Sequence, residues 1–194
     1  MTKLHLVLTV AAIGSVACYS AKQAERKPTS ASPSSTVSTV SSPSGQTVST
    51  STVEEARRDF EAKNFDKSES ALKEIVSKEP KNAEAQYLLG KVYIAKKDKA
   101  SAVAPLREAA KLDYKSVEKL KALGDVYFDL GRFDNAIVEY GKIPGYEPNN
   151  AEAYFNMGRT YVKLGNKIAA RQQLKKLDSL NKDFADKLRS EMGE

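Results

Sequence analysis

The sequence predicts an all-α chain, an α-solenoid of four helix hairpins followed by a capping helix. Two observations predict it. Apolar residues recur at three- and four-residue steps, as in Leu120, Leu123, Tyr127 and Leu130, which is one face of a helix. The whole pattern then repeats every 34 residues: Gly90, Gly124 and Gly158 keep that spacing, as do Tyr93, Tyr127 and Tyr161, then Ala102, Ala136 and Ala170, then Leu106, Tyr140 and Leu174. No insertion breaks the period across Ser49–Asn82, Ala83–Ser116, Val117–Asn150 and Ala151–Phe184.

The first copy is the weakest, in register through Ala56, Phe65, Ser68, Leu72 and Pro80. In the second, Pro105 falls inside the second helix. It takes away a backbone donor and crowds the preceding turn, and a mild kink near the start of that helix is expected. The third copy is the clearest. Gly131 stops its first helix, and Phe133, Ala136, Ile137 and Tyr140 mark the apolar face of its second. Pro144-Gly145 ends that second helix early. Small residues at Gly90, Gly124 and Gly158 are expected to face Ala102, Ala136 and Ala170, letting helices cross at roughly 8–10 Å. After the fourth copy, Phe184, Leu188 and Met192 share one face of a capping helix, and residues 185–194 complete it. A lone hairpin cannot bury its own apolar face, so stacking and a capped end are required.

These residues resemble the tetratricopeptide repeat, a 34-residue helix–turn–helix unit. Leu123-Gly124, Tyr127, Gly131, Phe133, Ala136, Tyr140 and Pro148 carry the resemblance in the third copy. The sequence departs from the family at its early Trp, which is Gln86, Leu120 or Tyr154, and at its terminal Pro, which is Tyr114 in the second copy and Lys182 in the fourth. Glu55 and Asp59 stand where the family uses Leu and Tyr. The resemblance implies a non-catalytic interaction module. Its first helices would line a concave groove for a protein or peptide ligand. Carried over position by position, the groove residues are Tyr87, Lys91 and Ile94 from the second copy. The third contributes Lys121, Asp125, Phe128 and Asp129, and the fourth Phe155, Asn156, Arg159 and Lys163. The row reads as basic residues interleaved with aromatics, the aromatics acting as anchors and the cations choosing acidic groups. The family's clamp for chaperone carboxylates is not reproduced, because Asp125 stands where an Asn is wanted.

Upstream of the repeats, residues 1–17 read as an export signal: Lys3, the apolar run Leu4–Ile13, then Gly14, Ser15 and Ala17. The run is too short to span a bilayer as a helix. Ser15-Val16-Ala17-Cys18 resembles a bacterial lipobox, with Ser15 where Leu is preferred. Such a motif would attach a diacylglycerol to Cys18, the one cysteine. The same residues also suit an ordinary Ser-x-Ala cleavage, so a membrane-anchored lipoprotein facing the periplasm and a free secreted protein both stand. Residues 18–52 then form a tether rich in Ser and Thr, with Pro28, Pro33 and Pro43, too polar to bury a core.

The net charge of +6 is spread unevenly. Lys3, Lys22, Arg26 and Lys27 against Glu25 leave 27 basic and 24 acidic residues for the rest. That is a mixed surface, not the clustered positive face that a nucleic-acid site needs. His5 is the only histidine and lies in the expected signal, so the mature chain would lack the commonest general base and the usual zinc ligands. The i, i+4 pair Asp125 and Asp129 reads as a solvated helix face. No cofactor, metal site or enzymatic activity is expected.

Overall fold

A computed structural model describes residues 52–194. The expected signal, Cys18 and the Ser/Thr-rich tether lie outside these residues. The described residues form four helix hairpins and one further helix. The hairpins are α1 (Val53–Glu61) with α2 (Phe65–Lys78), α3 (Ala83–Ala95) with α4 (Lys99–Leu112), α5 (Val117–Asp129) with α6 (Phe133–Lys142), and α7 (Ala151–Lys163) with α8 (Lys167–Leu180). The last helix is α9 (Lys182–Met192).

Side-chain caps set most helix starts. Asn82, Ser116, Asn150 and Asn181 accept from the backbone N–H three residues on, satisfying a donor that the first turn would otherwise leave free. Thr52 does the same for α1, and Glu55 reaches back to its backbone, a capping box. The first helix therefore starts at Val53, one turn later than the 34-residue frame allows. The helix expected from Ser49 is nine residues long, whereas α3, α5 and α7 have 13.

Each hairpin turn passes through a left-handed residue: Gly131 and Gly165 in the last two hairpins (φ +71° and +72°), but Lys63 and Lys97 in the first two (φ +62° and +65°). Pro105 sits in mid-helix, not near the start, and α4 runs on through it. After α6, Ile143–Gly145 form a 3-10 turn where Pro144-Gly145 predicted the stop.

The core follows the repeat. Leu72, Leu106 and Tyr140 are fully buried at one repeat position, and Ala102, Ala136 and Ala170 at another. The expected partners of the glycines need correcting. A side chain added at Gly90 would meet Leu106, at 2.5 Å. At Gly124 it would meet the Tyr140 ring, and at Gly158 Leu188 of α9, both also at 2.5 Å. The glycines make room for large buried side chains, not for the facing alanines. The capping helix covers the last hairpin as its pattern predicts, burying Ala185, Leu188 and Met192 against α7 and α8. No described helix is long and apolar enough to cross a membrane.

Candidate functional site

The first helices of successive hairpins, α1, α3, α5 and α7, stand side by side and are tied by an acid that recurs every 34 residues. Glu84, Glu118 and Glu152 each open a first helix, where a carboxylate also suits the positive end of the helix dipole. Each is reached from the helix before it. Arg57 Nη2 lies 2.6 Å from Glu84, the Tyr87 hydroxyl donates to Glu118 at 2.8 Å, and Lys121 Nζ lies 3.2 Å from Glu152. Lys119 adds a longer pair to Glu84, at 3.7 Å. The spacing of the three glutamates was legible in the sequence, but not their partners on the neighbouring first helix.

Two hollows lie along this surface. One, about 590 Å³, is walled by Phe60 of α1, by Tyr87, Lys91, Ile94 and Ala95 of α3, and by Glu118, Lys121, Ala122, Asp125, Val126 and Asp129 of α5. The other, about 330 Å³, is walled by Lys121, Asp125, Phe128, Asp129, Tyr140, Glu152, Phe155, Asn156, Arg159 and Phe184. They share Lys121, Asp125 and Asp129, so they adjoin along α5, and together this groove spans α1, α3, α5, α7 and α9.

Ten of the eleven residues expected from the sequence line this groove. Lys163 does not; it is exposed at the end of α7 and lines neither hollow. Tyr87 is 7% exposed and belongs to the core as much as to the groove. Burial and the Glu118 carboxylate push its hydroxyl well above the usual tyrosine range. Lys91 lies 5.5 Å from the centres of both the Phe60 and Tyr87 rings.

The expected row of basic residues is instead a mixed lattice. Asp125 accepts from Lys121 at 2.9 Å and from the Tyr140 hydroxyl at 2.7 Å. Asp129 pairs with Lys99 of α4 at 2.7 Å. The two aspartates are thus paired groups and not a merely solvated face. Burial works against the Lys121 charge, but Asp125 and Glu152 outweigh it and hold its pKa above the usual lysine value. Burial, followed by the Asp125 charge, drives the Tyr140 hydroxyl far above its usual range.

Arg159 is different. Its guanidinium stacks 4.1 Å from the Phe128 ring centre and 5.9 Å from that of Phe155, and no carboxylate among the described residues pairs with it. Its Nε is buried without an acceptor. An N–H so placed costs about 1–3 kcal/mol. Phe155 in turn stacks on Phe184, with centroids 5.0 Å apart and planes 13° apart. The sequence pattern gave Phe184 a capping role only; the structure makes it a groove wall as well. Among the described residues, no group of three His, Cys, Asp or Glu side chains could hold a metal ion.

Family models match much of this region. A TPR repeat model covers residues 124–165, a tetratricopeptide repeat model covers 151–184, and the model for anaphase-promoting complex (cyclosome) subunit 3 covers 61–143. Comparison with curated proteins gives no match. Among solved structures, MamA aligns with a TM-score of 0.65 at 24% identity, over 71% of this chain and 80% of its own. YrrB, described as a TPR protein with an unusual peptide-binding site, aligns with a TM-score of 0.64 at 20% identity, over 70% and 71%. The 34-residue period, the stacked hairpins and these matches agree: the chain is a tetratricopeptide-repeat protein, and its repeats form a protein-interaction module.

Proposed function

We propose that this protein is a non-catalytic docking or assembly factor of the bacterial envelope that holds a protein or peptide partner in the groove along its first helices. The observation that carries this reading is the groove itself. Its two adjoining hollows span five helices and are lined by Phe60, Ile94, Ala122, Val126, Phe128 and Phe155 together with charged side chains. Such a surface suits an elongated ligand whose apolar side chains enter the hollows while polar groups fix its register. The peptide-binding site described for YrrB supports a peptide ligand.

The anchor rests on the sequence. Lipid on Cys18 would hold the protein at a membrane, and some 30 polar residues would let the repeats reach roughly 30 Å from it. Without lipid, the same module would be a free periplasmic or secreted adaptor.

Cross-linking capture from intact cells tests the groove, comparing wild type with Lys121→Glu/Asn156→Ala/Arg159→Glu. A partner captured by wild type and lost from the folded triple variant supports it. A partner kept by the variant moves binding to another face. Radiolabelled palmitate that enters wild type but not Cys18→Ala supports the anchor; no label in wild type removes it. Light scattering separates a rival reading, self-association, which requires a concentration-dependent oligomer.

A further inference from the structure

The hollow between α5, α7 and α9 contains the one buried side-chain donor among the described residues that has no acceptor. Three carboxylates line it, and each already has a donor: Asp125 and Glu152 share Lys121, and Asp129 has Lys99. Asp125 also takes the Tyr140 hydroxyl. The cation left over is Arg159, half-buried, with its Nε shut away from water and no acceptor within reach. One helical turn before it, Asn156 is only 5% exposed and lines the same hollow. No hydrogen bond joins its side-chain amide to any other described residue, so the amide is free to bond a ligand in the hollow.

From this pairing we infer that Arg159 and Asn156 form a seat for the side-chain carboxylate of an aspartate or glutamate in a partner's peptide segment, an inference that rests on the groove being the binding surface. A guanidinium offers a planar fork of N–H donors that matches the two oxygens of a carboxylate, and the amide of Asn156 adds a further donor beside it. The aromatic rings fix the fork before the ligand arrives. Phe128 stacks on its face, and Phe155 is itself held by Phe184. A preorganised donor set loses little freedom on binding. The same rings offer apolar surface to the residues before and after the acid, which favours an internal side chain over a chain end. A basic ligand residue would have to share these carboxylates with Lys121 and Lys99, which already pair with them.

The test uses the immobilised full-length chain and an array of seven-residue peptides with apolar flanks, amidated C-termini and Glu, Gln or Lys at the centre. Wild type is expected to retain central-Glu peptides about ten-fold better than central-Gln ones, as a charge-assisted hydrogen bond predicts. Arg159→Met should erase that preference while apolar retention persists. Arg159→Lys should weaken it, because an ammonium is a point charge and not a fork. Equal retention of Glu and Gln peptides by wild type overturns the seat and leaves the groove standing, as does a preference that survives in Arg159→Met. Retention of no peptide overturns both. If Arg159→Met does not fold, the Nε–H resonance of Arg159 in wild type decides: it should shift on adding the Glu peptide and not the Gln peptide, and the reverse result overturns the seat.

Discussion

At the eighth position of its repeat the first hairpin carries Ala56, and the third carries Gly124; at the turn, the first carries Lys63 and the third Gly131. The two hairpins share a backbone plan but close it differently. In the first, the buried Ser68 hydroxyl, at the position that Ala136 holds in the third, donates to the Ala56 carbonyl at 2.7 Å. In the third, a large ring lies over a residue with no side chain. Tyr140, 2% exposed, covers Gly124 and reaches Asp125 with its hydroxyl. The repeat thus specifies a crossing distance, and more than one residue set satisfies it. The set used decides which substitutions the hairpin tolerates.

The largest effect should come from Gly124→Leu. The Tyr140 ring is fully buried and tethered, so it cannot swing aside, and overpacking should cost about 3 kcal/mol. Thermal unfolding followed by circular dichroism should show a midpoint roughly 6–12 °C lower. A wild-type midpoint would place the ring elsewhere.

Tyr140→Phe comes next. It removes a hydrogen bond to a charged acceptor, worth about 1.5–3 kcal/mol. The freed ring should then yield more readily to Gly124→Ala, so a double-mutant cycle should give a coupling of about 0.5 kcal/mol or more. Strict additivity would mean that the hydrogen bond does not hold the ring in place.

The same tyrosine has a pH signature. Its folded pKa is raised by burial and by Asp125, so the native state keeps the proton after the unfolded chain begins to lose it near pH 10, the ordinary tyrosine value. Stability from this group is present below that pH and falls as the pH rises above it. Denaturant titrations on the alkaline side should show a shallower decline for Tyr140→Phe than for wild type; parallel declines would refute the assignment.

Exchanging the turn residues gives smaller effects of opposite sign. Lys63→Gly relieves a left-handed non-glycine and should stabilise by about 1 kcal/mol, while Gly131→Lys should lose about as much. If both changes act in the same direction, backbone strain is not what separates these turns. Ser68→Ala should have the smallest effect, roughly 0.5–1 kcal/mol, because the Ala56 carbonyl keeps its place in the helix ladder. A loss of several kcal/mol would give the hydroxyl a larger part in closing the first hairpin.

The period was legible because one local pattern recurs: small, large and turn residues return every 34 positions, and the helices follow with their caps. The start of α1 was legible too, in Thr52 and Glu55, but the register of the repeat masked it. What could not be read were encounters between helices distant in sequence. Lys121 with Asp125 is an i, i+4 pair visible on one helix, whereas Lys99 with Asp129 requires knowing how α4 meets α5. Which groove cations lack an ion-pair partner depends on that full set of pairings. A list of groove positions therefore found Arg159 without revealing that its Nε is buried with no acceptor.

One residue, Asn181, both ends α8 and caps α9. The earlier junction between α4 and α5 uses four residues, Asp113 to Ser116. The 34-residue frame would put the next cap at residue 184, three positions later than Asn181. The shortened junction brings Leu188 over Gly158 and Phe184 onto Phe155. This has a consequence for how such a protein can lengthen. Duplicating a whole unit inside the array would preserve every junction and extend the groove. Appending a unit after α9 would meet a helix out of phase and a face already covered. Growth from the interior keeps the stacking intact, and α9 covers the side of the last hairpin that a further unit in frame would use.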